Sequence, residues 1–343
     1  MRTINIKTES GESIIYLGEK LENLSKYLPK DKKVVILTDE NIIKHYSTQL
    51  QGYPVIQMGL GEKNKTLQTL EKIFEEFIRL EVDRSSFLVA VGGGIVCDVG
   101  GFAASSFMRG IKFGFVSTTL LSQVDASVGG KNGVNFQGYK NMVGVFAQPQ
   151  FVICDVSMFK TLDTREFISG FAEIIKAAAI RDKELFDYLE SNSSKALEYN
   201  EEVLEKVIYE SVRIKAQVVQ KDEKEKGERR ILNFGHTFAH SIEKNLGILH
   251  GEAVSIGMVL AAKTSVKLGA LMQVEADRLE KLLIAYKLPV KLNLDKSKVF
   301  DALLKDKKRE GDFINLVLIN GLGNAIIQKV SIKDMEEIVN DLC

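Results

Sequence analysis

The chain has 343 residues, with 46 Lys+Arg against 46 Asp+Glu and 45% hydrophobic residues. That length exceeds what one hydrophobic core organises and predicts two domains, while the balanced charge leaves no global field for nucleic acid, so any anion site must be local. The three cysteines, Cys97, Cys154 and Cys343, lie far apart without a CxxC pair, and MRTINIKTES lacks a continuous apolar stretch; both features favour a reduced, cytoplasmic protein over a disulfide scaffold or an exported one.

In chain order, RTINIK and SIIYLG predict a short antiparallel hairpin. Apolar runs then alternate with amphipathic stretches: VVILTD at 34–39, YPVIQMG at 53–59, FLVAVGGG at 87–94, FGFVST at 113–118 and FVICD at 151–155. Leu67, Leu70, Ile73, Phe74 and Phe77 recur at helical spacing between two of them. Strand–helix alternation of this kind predicts an α/β domain with a mostly parallel sheet covered on both faces. The segment 87–107 carries Asp98 as its single charge and is interrupted by glycines, so it reads as a buried strand, a turn and a buried helix rather than a membrane span. Beyond about residue 160 helical patterns dominate, at 166–179, 201–220, 230–244, 252–268 and 274–286. A late hairpin is predicted from FINLVLI and NAIIQKV, joined through Asn320, Gly321 and Gly323. The expected division is an α/β domain over 1–158 and a helical domain over 159–343.

Three constellations carry chemistry. GGGIVCD at 92–98 follows a strand and opens a helix, where backbone amides and the helix dipole favour phosphate. It does not match GxGxxG, and a glycine triplet alone serves a tight turn equally well. Asp98 in so apolar a helix reads as an acceptor for a ligand or a loop amide. LLSQVDASVGGKNGVN at 120–135 and YKNMVG at 139–144 place Asp125, Lys131, Lys140 and Asn141 in what read as two glycine-rich loops. Of the four histidines, His45 stands alone and reads as structural. His236 and His240, four apart, share one helix face and suit either two metal ligands or one ligand and a base, with His250 near in sequence. Glu173, an acid in an apolar helix beside Lys176, could complete such a site. There is no HExxH, which disfavours a metalloprotease. The run DEKEKGERR at 222–230 reads as a solvated loop.

Taken together, GEKNKTL, GGGIVCDVGGFAASSFMRG, STTLLSQVDASVGGKNGVN, YKNMVGVFAQP, TLDTREFISGFAEIIKAA, RRILNFGHTFAHSIE and LHGEAVSIGM resemble the 3-dehydroquinate synthase family, from about residue 34 to 320. The resemblance implies an NAD-binding α/β domain followed by an all-helical metal-binding domain, and a homodimer. It implies conversion of 3-deoxy-D-arabino-heptulosonate 7-phosphate, a small sugar-acid phosphate, to 3-dehydroquinate and phosphate in aromatic amino acid biosynthesis. The steps would be transient oxidation by NAD, phosphate elimination, reduction and intramolecular aldol closure, with one divalent ion, Zn or Co. Neither a nucleic-acid nor a membrane partner is implied. Metal ligation falls to Glu173, His236 and His250, which replaces the His236–His240 pairing that spacing suggests, and His240 becomes the histidine that contacts substrate and moves protons. Asp39, Glu62, Lys65, Gly93, Gly94, Asp98, Thr118, Thr119, Lys131, Lys140 and Thr161 are assigned to NAD. Arg109, Asp125, Lys131, Asn141, Lys176, Lys215, Arg229, Asn233 and one or both of Lys307 and Lys308 are assigned to substrate, Arg109 from the neighbouring subunit. Departures are small: Cys97, Val99, Asn132 and Ala239 replace commoner residues, and Asp163-Thr164 lacks the proline often seen before Arg165. The nearest alternatives are another sugar phosphate cyclase and a metal-dependent polyol dehydrogenase.

Overall fold

The computed structural model describes residues 1–291, 309–310 and 312–342. They divide into two compact units, Met1–Asp163 and Thr164–Cys343. The first unit is built on a seven-stranded sheet. Its strands are β1 (Arg2–Thr8), β2 (Gly11–Leu17), β3 (Val34–Asp39), β4 (Val55–Met58), β5 (Phe87–Gly92), β6 (Lys112–Ser117) and, numbered after an inserted hairpin, β9 (Phe151–Cys154). The spatial order is β1-β2-β9-β6-β5-β3-β4. Only β1 and β2 pair antiparallel; the remaining neighbours are parallel. Every residue of β5 is buried, as a continuous apolar run predicts for a central parallel strand, and each of its large side chains, Phe87, Leu88, Val89 and Val91, contributes about 1.5–3 kcal/mol. Helices α1 (Glu40–Tyr46), α2 (Leu67–Arg79) and α3 (Gly94–Ser106) complete the alternation. Leu70, Ile73 and Phe77 are the buried stripe of α2. The strand order reverses between β3 and β5, because β4 lies on one side of β3 and β5 on the other. At such a switch point ligands bind beyond the carboxyl ends of the strands.

The two glycine-rich loops expected around Lys131 and Lys140 are instead one antiparallel hairpin, β7 (Lys131–Phe136) and β8 (Tyr139–Phe146). The alternation that would have revealed it is hidden by small and polar residues, but Asn132 supplies what a short strand needs. Its Nδ2 donates to the Gly130 and Ala147 carbonyls at 3.0 and 2.9 Å.

In the second unit, helices α4 (Thr164–Arg181), α5 (Lys183–Leu197), α6 (Glu201–Lys221), α7 (His236–Leu246), α8 (His250–Lys267) and α9 (Gln273–Ala285) pack around α4, which is buried on nearly all sides from Phe167 to Ile180. The helix α5 is not apparent in the sequence pattern; Asp182 caps it, accepting the Leu185 N–H at 2.9 Å. The predicted hairpin is present as β11 (Phe313–Ile319) and β12 (Ala325–Ser331), with β10 (Arg309–Glu310) added to it and a last helix α10 (Ile332–Leu342) after it. Gly321 and Gly323 both take positive φ in its turn.

The helix expected over 230–244 is broken. A 3₁₀ turn covers Glu228–Asn233, and α7 begins only at His236. Gly235 causes the break, with φ +78 in the left-handed region, and a Cβ there would lie 2.8 Å from the Met258 nitrogen of α8. Gly251 similarly lets α8 lie directly against α4, its amide donating to Ser169 Oγ at 3.1 Å. The two glycines thus stand beside His236 and His250, and both permit close backbone packing of the helices that carry them.

Candidate active site

Two groups of polar residues form, one in each unit. In the second unit α4, α7 and α8 bring Glu173, His236 and His250 together, with one ligand atom of each within 4.8 Å of the others. Nε2 of His236 and of His250 lie 3.6 and 3.4 Å from Glu173 Oε1. That oxygen is buried and has no hydrogen-bond partner, an expensive arrangement unless something electropositive meets it. The other oxygen, Oε2, pairs with the buried Lys176 ammonium one turn on. Burial alone would raise the Glu173 carboxyl, but the Lys176 charge, and then His250, overcome it and hold it down at about 2. The carboxylate is therefore ionised at neutral pH, as a metal ligand must be.

The imidazoles are also oriented. Nδ1 of His236 lies 3.2 Å from the Phe234 carbonyl and Nδ1 of His250 lies 3.8 Å from Glu243 Oε2, which turns both Nε2 atoms towards Glu173. Glu243, seven residues after His236 on α7, was not singled out from the sequence. Its position two turns beyond the histidine is the signal that was available. One carboxylate and two imidazoles fit a divalent ion with open positions for substrate or water. His240 follows His236 by one turn on α7, and its side chain lies outside the described residues.

The substrate-assigned residues Arg229 and Asn233 share the turn before α7. The charge run at 222–230, expected as a solvated loop, is instead ordered around Asp222, whose carboxylate accepts the amides of Lys226, Gly227 and Arg229 at 2.9, 2.7 and 3.0 Å. Arg229 is 2% exposed and donates from Nη1 to the Glu223 carbonyl; Asn233 donates to Glu225. Lys215 is half-buried on α6. Lys307 and Lys308 lie outside the described residues.

In the first unit the NAD-assigned residues gather at the carboxyl edge of the sheet. Asp39 ends β3 and caps α1, accepting the Ile42 N–H at 3.1 Å, and burial pushes its carboxyl up. Gly93 caps α3 and Gly94 opens it, while Thr118 and Thr119 follow β6, with the Thr118 amide donating to the Gly92 carbonyl at 3.0 Å. A Cβ on Gly93 would meet Thr119 Cγ2 at 3.0 Å, so the turn remains a backbone-lined cradle at a helix N-terminus, which fits a pyrophosphate.

Asp98 does not meet a loop amide; its partner is the Lys65 ammonium. Burial pushes the Asp98 carboxyl up, against the pull of Lys65. Lys65, 5% exposed, also donates to Asn141 Oδ1 at 2.6 Å. Glu62 lies 4.0 Å from the Lys140 ammonium. Lys131 is exposed at the start of β7, and Asp125 sits in a π-helical turn, Ser122–Ala126, of a kind frequent at functional sites. Thr161 bonds to Tyr46 at 2.8 Å and to the Met158 carbonyl at 3.0 Å. Arg109 is exposed at the end of a strained turn, with φ of +50 at Met108, +67 at Arg109 and +116 at Gly110.

Comparison with known proteins places these features. The chain is similar in structure to 2-deoxy-scyllo-inosose synthase complexed with carbaglucose-6-phosphate, NAD+ and Co2+, with a TM-score of 0.85 and 28% identity over 99% of this chain and 100% of that one. It is equally similar to 2-epi-5-epi-valiolone synthase from Streptomyces hygroscopicus subsp. jinggangensis with NAD+ and Zn2+ bound, with a TM-score of 0.88 and 27% identity over 100% and 99%. A probable glycerol dehydrogenase from Sinorhizobium meliloti shares the fold at a TM-score of 0.66 and 16% identity, over 96% of this chain and 95% of that one. The fold is that of the sugar phosphate cyclases.

Within that class, the 3-dehydroquinate synthase N-terminal family model matches residues 55–169 and the C-terminal model residues 170–309. The 3-dehydroquinate synthase of Campylobacter concisus is 42% identical over 335 residues, 95% of this chain and 94% of the relative; that of Acetivibrio thermocellus is 40% identical over 332 residues, 93% and 92%. The chain belongs to the 3-dehydroquinate synthase family.

Proposed function

We propose that the chain converts 3-deoxy-D-arabino-heptulosonate 7-phosphate to 3-dehydroquinate and phosphate, using NAD and one divalent ion, Zn or Co. The observation that carries this reading is that one chain holds both a glycine turn at the sheet's switch point and a carboxylate–imidazole cluster with an unsatisfied buried oxygen. Relatives named 3-dehydroquinate synthase stand at about 40% identity, whereas the two cyclitol-type synthases stand at 28% and 27%, which favours the heptulosonate substrate over theirs. We assign an NAD-binding domain to residues 1–158, which also lends Arg109, Asp125, Lys131 and Asn141 to the substrate, and a metal- and substrate-binding domain to 159–343, with a homodimer in the cytoplasm as the working assembly.

When bound, NAD would accept and later return one hydride and the ion would polarise the substrate hydroxyl being oxidised. Glu173, His236 and His250 would hold the ion, and Lys176 keeps Glu173 ionised and oriented. Arg229, Lys131 and Asn141 are assigned to the departing phosphate, where fixed cationic and amide donors oppose developing negative charge. Lys215, Asn233, Asp125 and one or both of Lys307 and Lys308 would hold the substrate carboxylate and hydroxyls in one conformer. His240 would move a proton, and Arg109 would act from the neighbouring subunit. Mixing an inactive Arg109→Ala chain with an inactive His240→Ala chain tests this last assignment. Activity should return in the heterodimer, and its absence despite proven subunit exchange would show that Arg109 serves its own subunit or no site. Phosphate release from the heptulosonate phosphate with and without NAD tests the function itself.

A further inference from the structure

The hairpin β7–β8 is irregular at one place. Val134 pairs with Val143 and Phe136 with Tyr139, so the single residue Asn135 faces three on the other strand: Lys140, Asn141 and Met142. The turn itself is tight, with φ of +48 at Gln137 and +79 at Gly138. The irregularity therefore belongs to β8, and it is what presents Lys140 and Asn141; bulges of this sort re-aim side chains next to active sites. Asn141 sits in it at φ +51, a conformation that asparagine tolerates better than most residues.

Asn135 fills the gap with its side-chain oxygen, its side-chain nitrogen and its backbone amide all engaged. Its Oδ1 accepts the Asn141 backbone N–H at 2.9 Å, and its Nδ2 donates to Glu62 Oε1 at 2.7 Å. Its own amide donates to the Lys65 carbonyl at 2.8 Å, and the Lys65 ammonium returns to Asn141 Oδ1 at 2.6 Å. One carboxamide thus ties the Glu62–Lys65 turn to the strained residue of the hairpin. An ionised carboxylate could not donate to Glu62, and a hydroxyl would have to make both bonds from one atom where the carboxamide uses two.

We propose that Asn135 is a positioning residue that locks Glu62, Lys65 and Asn141 into one arrangement for cofactor and substrate. The inference rests on the reading that these three residues serve NAD and the heptulosonate phosphate. Asn135 itself need touch neither.

The test uses the full zinc-loaded chain and measures NAD affinity, kcat, KM, metal content and thermal unfolding for three proteins. Asn135→Ala should lose about ten- to a hundredfold in kcat/KM with metal content unchanged, the scale of loss that a small misplacement of reacting groups produces. Asn135→Asp keeps the oxygen for Asn141 but sets a carboxylate against Glu62, with Lys140, Lys65 and Asp98 as the other charges nearby. It should be impaired at about pH 8 and recover about tenfold relative to wild type by about pH 6, where two facing carboxylates share one proton and the donor is restored. A merely structural role gives no such recovery. Wild-type kcat/KM and NAD affinity in Asn135→Ala, or an Asn135→Asp defect that does not move with pH, would overturn the proposal. If Asn135→Ala does not fold, the pH response of Asn135→Asp decides alone. Failure of the wild-type chain to bind NAD would instead overturn the reading beneath it.

Discussion

The two polar groups are built on opposite principles. Glu173, Lys176, His236 and His250 project from three helices, α7 and α8 brought close through Gly235 and α8 and α4 through Gly251, and Glu173 is only 3% exposed. Lys65, Asp98, Glu62 and Asn141 are drawn from a turn, a helix and a bulged hairpin; Lys65 bonds to Asp98 and Asn141, and Asn135 ties Glu62 to Asn141. The first arrangement fixes its geometry through backbone packing and leaves one donor atom unsatisfied. The second satisfies its members internally and so depends on each bond. A single deletion should therefore abolish ligand binding in the helical group, but loosen several residues together in the hairpin group.

The largest effect expected is at Glu173. Glu173→Gln keeps the shape and removes the charge that an ion requires, so activity should fall by about a thousandfold or more, roughly 4 kcal/mol, with loss of bound metal and unchanged NAD affinity. Metal analysis and NAD titration on one preparation check both halves, and full metal content in the variant would break the comparison. Next is Arg229→Lys, which retains the charge but loses the planar fork; a deficit of about 2–4 kcal/mol in kcat/KM is expected with NAD affinity barely changed. Lys65→Met then tests the internally satisfied group. It strands the largely buried Asp98 carboxylate, so chemical unfolding should show a loss of about 2–3 kcal/mol, less than for a fully buried pair because Asp98 retains some solvent contact.

The smallest effect concerns Asp222. Burial works to raise its carboxyl, but the amides of Gly227, Arg229 and Lys226 overcome it and hold it below the usual range. A carboxyl lowered by folding contributes its stability above the unfolded value near 4 and loses it as pH falls through the folded value. Asp222→Asn should therefore lower the melting temperature at neutral pH, by the equivalent of about 1 kcal/mol, and the gap from wild type should close towards about pH 3. A gap that widens in acid would contradict this account of the turn.

Much of the fold is legible in the sequence, because apolar runs such as FLVAVGGG have no other place than a buried parallel strand, and the runs at 34–39, 113–118 and 151–155 behave likewise. The hairpin at 131–146 was hidden because its pairing depends on side-chain bonds from Asn132 and Asn135 rather than on alternating apolar residues. The break at Gly235 was hidden because helical periodicity continues through it, while the cause, the close approach of α8, is distant in sequence. At the site, spacing alone drew attention to His236 and His240, whereas among the described residues the pair that meets Glu173 is His236 and His250, on different helices. The burial of Arg229 within a charged run depends on Asp222 folding the turn back on itself, which composition cannot reveal.

The central claim is that one chain oxidises and re-reduces its substrate within a single turnover. It is tested most directly by following phosphate and 3-dehydroquinate from the heptulosonate phosphate with zinc-loaded enzyme and NAD well below the substrate concentration. The account predicts equal amounts of the two products, many times the NAD supplied, with no accumulation of NADH. NADH rising in step with product, or phosphate released at the same rate after NAD is removed, would contradict it.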